Sequence, residues 1–291
     1  MAFSPDGLRL AVAEIDGSVV LWNLATGTSL FTVRACPPGS PGVLISPDGM
    51  SILTFCRQGC CMRLWNSTDG TLVKTIQLSC VLNVAWSPDG QWLALEVKPN
   101  QANLHRSGTF YEVPISVLNL ATEERAASLP SELGTGMIFT PTGQLITACA
   151  LGESCMWEIP SGRQTRLWKG IEGPGAICCD GNKLLWGEFY DVPMLGFSVT
   201  RVKMHLFDLD TGVDKRLPIP HNVEPFAEAK DHVALRRIFA KQGPILIYSV
   251  AQMKIVQKLS KQEAPRFAAF SPDGKILAVM GKSTIRIWRC N

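Results

Sequence analysis

The chain has 291 residues, 46% of them hydrophobic and 18% charged, and a formal net charge of +3. That composition excludes a disordered chain and allows a large packed core. It opens without a basic stretch and apolar core, and no uncharged apolar run approaches a membrane span, so neither a signal peptide nor a transmembrane helix is predicted.

The first element is MAFSPDG: an apolar stub and a four-residue turn at Ser4–Gly7, followed by the apolar run LRLAVAE. Pro5 presets φ at the second turn position and Gly7 relaxes the exit, which predicts strand, tight turn, strand. SVVLWNLATG (18–27) follows, a third strand ending at Trp22 and running into a Gly turn, and SLFTV supplies an outer strand. The order returns with SPDG at 46–49 and CMRLWNSTDG at 61–70. It returns again with SPDG at 87–90, where SVLNLATEE places Leu118 at the aromatic position. A weakened TPTG at 140–143 precedes SCMWEIPSG at 154–162. Worn turns follow: CDGNKLL from Cys179 ahead of VKMHLFDLDTG (202–212), and AKDHVAL from Ala229 ahead of ILIYSVAQ with Tyr248. SPDG returns at 271–274, and STIRIWRCN (283–291) is the last phrase.

Seven sets thus recur at roughly 40 residues, stretched to about 50 in two places, the period of an all-β repeat array. The strands are too short for helices and apolar on both faces, as radially stacked blades require. The expected fold is all-β: one seven-bladed β-propeller domain, with blades at about 1–35, 42–79, 81–130, 136–169, 175–218, 223–260 and 265–291.

The period, the SPDG turns and the Trp-polar strand ends resemble WD40-repeat propellers over essentially the whole chain. Trp is followed by Asn23, Asn66, Glu158 or Arg289, never by Asp, and His105, His205, His221 and His232 do not sit where that family's Gly-His opens a repeat. These departures put the family's hydrogen-bonded tetrad in question and leave apolar packing to hold the blades. The resemblance also implies a ring closed by an outer strand that the N-terminus lends to the last blade. With nothing before Met1 and three residues after Trp288, blade seven is predicted to lack its outer strand, as in a chain cut from a longer parent. Self-association through that open blade is the expected consequence.

No motif predicts catalysis, a metal or a cofactor. GKST at 281–284 lacks the Gly five residues before Gly281 that a phosphate loop needs, and it joins two strands. GESCM at 152–156 lacks the second Gly and the helix of a nucleophile elbow. The ten cysteines include no CxxC pair, and without an export signal they are expected as reduced, mostly buried thiols, Cys56 and Cys60 among them.

Two features point to binding. Long segments at about 97–114 and 187–201 fall between strands two and three of blades three and five, at the blade end opposite the SPDG turns. They carry FYEVP (Phe110, Tyr111, Glu112) and FYDVP (Phe189, Tyr190, Asp191), aromatics beside a carboxylate that suit either a partner or their own blade. Residues 201–291 hold sixteen Lys/Arg against eight Asp/Glu, with Arg236, Arg237 and Lys241 clustered in blade six. Such a face suits acidic proteins or nucleic acid, and lysines along an outer strand also protect an edge. The sequence therefore predicts a cytoplasmic, non-catalytic scaffold for protein partners. A regulatory or recruiting propeller of a larger enzyme of kinase or NTPase type stays open, as does one gating a hydrolase.

Overall fold

The computed structural model describes residues 1–291 except 40, 57–60, 79, 98–105, 108–109, 112, 132–135, 149–152, 171–175, 179–181, 195–196, 221–222, 230, 238–241, 260–261, 264, 282–283 and 291. Every regular element among the described residues is a strand. The chain divides into two compact units, Met1–Gly170 and Ile171–Asn291.

The first unit holds four antiparallel meanders of four strands. Blade one runs Ala2–Phe3, Arg9–Ala13, Ser18–Asn23 and Thr28–Arg34; blade two runs Gly42–Ile45, Ser51–Phe55, Cys61–Asn66 and Leu72–Gln77. Blade three runs Val81–Trp86, Trp92–Val97, Ile115–Asn119 and Arg125–Leu129; blade four runs Gly136–Phe139, Leu145–Ala148, Glu153–Glu158 and Arg163–Lys169. In the second unit, blade five runs Ala176–Cys178, Lys183–Met194, Phe197–Asp208 and Asp214–Arg216. Blade six runs Val223–Glu228, His232–Arg237, Leu246–Ser249 and Lys254–Lys258. Blade seven has three strands among the described residues: Phe267–Phe270, Ile276–Met280 and Ile285–Arg289. The repeat therefore forms the seven-bladed β-propeller arrangement that its period predicts, with a last blade short of its outer strand.

The SPDG phrase makes its turn by a shared hydrogen-bond scheme. Gly7, Gly49, Gly90 and Gly274 take φ between 72° and 76°, the left-handed region that a side chain would strain. Each donates its N–H to the turn serine carbonyl at 2.8–2.9 Å. The serine hydroxyl, buried at Ser4, Ser46, Ser87 and Ser271, accepts from the first amide of strand two, as Ser51 N–H does to Ser46 Oγ at 2.8 Å. The Asp carboxylate accepts the next free amide, Met50 N–H to Asp48 Oδ1 at 2.9 Å. The serine hydroxyl and that amide hold the carboxyls of Asp6, Asp48 and Asp273 below the usual carboxylate range.

Neighbouring strand residues point to opposite faces, so each blade packs on both sides. In blade two, Ile52 and Trp65 pack with Ala11, Leu21 and Val33 of blade one, whereas Leu53, Met62 and Leu64 pack with Val84, Leu93 and Leu95 of blade three. Ala94, Val117 and Leu129 then meet Phe139, Leu145 and Trp157 of blade four. In the second unit, Leu185, Met204 and Leu206 of blade five pack with Val233, Leu235 and Tyr248 of blade six, and Ala234 and Ile247 pack with Phe270, Leu277 and Val279 of blade seven.

The tetrad survives in part. Trp65 Nε1–H donates to Thr54 Oγ1 and Trp157 Nε1–H to Thr147 Oγ1, both at 2.9 Å and buried. Trp22 and Trp288 stand at the same station, and their buried Nε1–H groups find no acceptor among the described residues. The residue matching Thr54 is Val12 in blade one and Val279 in blade seven.

Candidate protein-interaction surface

In a meander the second turn and the linker to the next blade share one end, and two bridges show it. Asp16, in the second turn of blade one, pairs with Gly39 of the following linker. Gln242–Gly243, between strands two and three of blade six, pairs with Gln262–Glu263 of the linker into blade seven. Both sequence inserts leave their blades at this end.

The insert of blade three is a short ladder in which Arg106 pairs with Tyr111 and Ser107 with Phe110. Glu112 lies outside the described residues. The chain returns through Val113, fully buried, whose N–H donates to Ser131 O at 2.9 Å, and enters strand three at Ile115.

The insert of blade five differs from the loop the sequence suggested. Residues 187–201 continue strands two and three as one ladder, from Lys183 opposite Asp208 to Met194 opposite Phe197. Phe189, Tyr190 and Asp191 pair with Val202, Arg201 and Thr200. Among the described residues the inner strand pairs with Lys183–Leu185 and the outer strand with His205–Phe207, after which Leu217 N–H donates to Met204 O at 2.8 Å. From Glu188 outward, therefore, two strands continue as an arm past the described pairing of the inner and outer strands. The shared letters of FYEVP and FYDVP thus occupy unlike places, a short detached ladder in one and mid-strand in the other. Strand formation won at 187–201 because Phe189, Tyr190, Val192, Val199 and Thr200 favour extended backbone, and Pro193 falls near the end of the ladder, opposite Ser198.

At the root of the arm lies a polar cluster that sequence reading missed. His205 Nδ1 is 2.6 Å from Asp214 Oδ2, and Trp186 Nε1–H donates to Asp214 Oδ1 at 3.0 Å. The Trp186 and His205 rings lie 4.5 Å apart. Lys203 Nζ donates to Glu188 Oε2 at 3.0 Å, and His205 Nε2 lies 3.5 Å from the same oxygen. Lys203, with His205 behind it, holds the Glu188 carboxyl below its usual range. These cross-strand pairs tie the arm's base to the outer strand. His205 lies away from the family's histidine offset, and its partners Trp186, Glu188 and Asp214 stand on other strands.

Of the basic cluster, Arg236 and Arg237 lie on strand two of blade six, opposite Glu224 and Val223, and Lys241 lies outside the described residues. Arg236 is turned inward. Its guanidinium sits 4.4 Å over the Phe226 ring, and Nη1 donates to Pro265 O at 3.0 Å. Next to Pro265, Arg266 and Phe267 are exposed, Phe267 at 56%, although neither was singled out in the sequence. The predicted residues divide between units, with Phe110 and Tyr111 in the first and Phe189, Tyr190, Asp191, Arg236 and Arg237 in the second.

The motifs set aside in the sequence are strands and turns. Cys155 lies inside Glu153–Glu158, and Gly281 N–H closes a turn onto Thr284 O at 2.8 Å. Cys36, Cys56 and Cys61 are free, buried thiols. Burial, and Cys36 beside it, push the Cys56 thiol up; burial alone pushes Cys290 up to about 11. Thiols so protonated are poor nucleophiles at neutral pH.

A family model described as WD domain, G-beta repeat matches residues 1–23. The chain is 23% identical over 287 residues to telomerase protein component 1 of Rattus norvegicus, covering 97% of this chain and 9% of that protein. It is 27% identical over 173 residues to a WD repeat-containing protein 91 homolog of Dictyostelium discoideum, covering 57% of this chain and 21% of that one. The chain thus spans a small fraction of the relatives it matches. Among solved structures it resembles a hydrazine synthase of Kuenenia stuttgartiensis, with a TM-score of 0.77 at 17% identity over 99% of this chain and 94% of that one. It also resembles the Cps50 (Swd1) β-propeller domain of Myceliophteria thermophila, with a TM-score of 0.73 at 18% identity over 99% and 95% of the two chains. These likenesses carry the fold alone.

Proposed function

We propose that this chain, a seven-bladed propeller of WD40-like repeats, is a non-catalytic scaffold whose projecting inserts bind protein partners. The observation that carries this reading is the arm of blade five, Glu188–Met194 with Phe197–Lys203, which extends beyond the pairing of the inner and outer strands among the described residues. A blade needs about four to six residues per strand, and these strands have twelve. The excess ladder is rooted by the Trp186–His205–Asp214 and Glu188–Lys203 cluster, so it is held in place before any partner arrives. Preorganised strands lower the ordering cost of association. The repeated residues, by contrast, serve turns and packing between blades.

Affinity capture with mass spectrometry tests the reading. A variant with residues 189–202 replaced by a two-residue Asn-Gly turn should lose partners that the intact chain retains, with its melting temperature little changed. Tyr111→Ala and Tyr190→Ala should each remove part of the same set. Retention of every partner by the shortened arm would reject the arm as a binding element.

A further inference from the structure

Phe267 occupies a station where blades two, three and four place small or polar residues. Three positions before the residue that opens the SPDG-type turn's strand pair, blades two, three and four carry Gly42, Asn83 and Gly136, opposite Phe55, Glu96 and Ala148. In blade seven that station is Phe267, opposite Met280. Blade packing therefore does not require an aromatic here, yet one stands 56% exposed on an inner strand. Arg266, the residue before it, is also exposed and has no ion pair among the described residues.

The ground under both residues is fixed. Arg266 N–H donates to Met280 O at 2.8 Å. Pro265 O accepts from Arg236 Nη1 at 3.0 Å, the same guanidinium that stacks on Phe226. The linker is pinned by Gln262–Glu263 against Gln242–Gly243. An exposed apolar ring and an exposed guanidinium on consecutive residues of a pinned backbone are the two halves of a site for a carboxylate beside an apolar side chain. The surrounding charge has the matching sign, since residues 201–291 hold sixteen Lys/Arg against eight Asp/Glu. A strand of nucleic acid would need a track of cations at phosphate spacing and successive stacking platforms. Among the described residues the patch offers one exposed ring beside one exposed cation.

We propose that the linker-side end of the blade-seven inner strand binds a short acidic segment of a protein partner, with an apolar side chain on Phe267 and a carboxylate on Arg266. The proposal rests on the scaffold reading and names the chemistry of one of its contacts.

A phage-displayed library of random twelve-residue peptides, selected on the immobilised chain, tests it. Selected peptides should carry Asp or Glu beside an aromatic residue or Leu. Their synthetic copies should lose about tenfold in affinity on Arg266→Glu and on Phe267→Ala. They should keep most of it on Phe267→Leu, which retains an apolar contact. Lys254→Glu, an exposed charge on the outer strand of blade six, should change it by less than about twofold. Circular dichroism melts should overlay for all four variants. If Phe267→Ala perturbs the fold, the Arg266→Glu and Phe267→Leu pair still decides. No enriched family, peptides without acidic residues, or an equal loss on Lys254→Glu would each overturn the proposal. So would a twenty-nucleotide oligo(dT) that binds and depends on Phe267 in the same way. Partner capture that needs the blade-five arm but not Arg266 would overturn this inference and leave the scaffold reading standing.

Discussion

Four tryptophans end third strands, and they do so in two chemical states. Trp65 and Trp157 donate to Thr54 and Thr147, while Trp22 and Trp288 bury the same N–H beside Val12 and Val279. A buried donor left without an acceptor costs about 1–3 kcal/mol, and a net hydrogen bond contributes about 1 kcal/mol. Thr54→Val and Thr147→Val should therefore each lower stability by about 1–3 kcal/mol. Val12→Thr and Val279→Thr, nearly isosteric, should each raise it by about 1 kcal/mol. Urea unfolding followed by circular dichroism reads both directions. A destabilising Val12→Thr would mean that the threonine hydroxyl cannot reach the Trp22 indole. The tryptophans were plain in the sequence, but their acceptors were not, because threonine and valine look alike until the strand register places one of them under the ring.

At the scale of the strand, blade seven is the informative case. Ile285–Arg289 pairs with Ile276–Met280 on one side and with no other strand among the described residues. Ile287 is 47% exposed, whereas Leu21 at the same station of blade one is fully buried between two partners. Amides of an edge strand that face outward lack a ladder acceptor and exchange faster. Hydrogen exchange read by mass spectrometry should show Ile285–Trp288 exchanging well ahead of Val19–Trp22. Equal protection in a monomeric sample would show that another segment covers the blade-seven edge. The missing outer strand was legible by counting apolar runs against the repeat. The arm of blade five was not: alternation alone cannot distinguish a loop that folds back from a hairpin that continues its strands, and only the register from Lys183–Asp208 to Met194–Phe197 separates them.

At the scale of the molecule, the long ladders among the described residues lie within blades, and within each unit apolar side chains join one blade to the next. Such an array behaves as units coupled to their neighbours. Leu53 belongs to the packing of blade two on blade three. Leu53→Ala should cost about 2–5 kcal/mol, and the effect should stay local. Faster exchange is expected in the second and third strands of blades two and three, with little change in His232–Arg237 of blade six. Uniform loss of protection across both units would instead mean a single cooperative molecule.

The sequence by itself determined the all-β class, the period and the turn chemistry, because Pro, Gly, Asp and Ser act through their own backbone and nearest neighbours. It also determined which strands are buried on both faces, since apolar residues without alternation leave no solvated side. Tertiary structure alone decided which side chains meet. Arg236 reads as a surface charge in RRIFAKQ, yet it folds over Phe226 and holds Pro265 O from 29 positions away. His205 lacks the expected offset in the sequence and still meets Trp186, Asp214 and Glu188 on neighbouring strands. Phe267 reads as one more apolar strand residue, and only its register against Met280 and its exposure distinguish it from core. Contacts between distant residues depend on register and twist, and a one-residue slip in either would exchange every buried side chain for an exposed one.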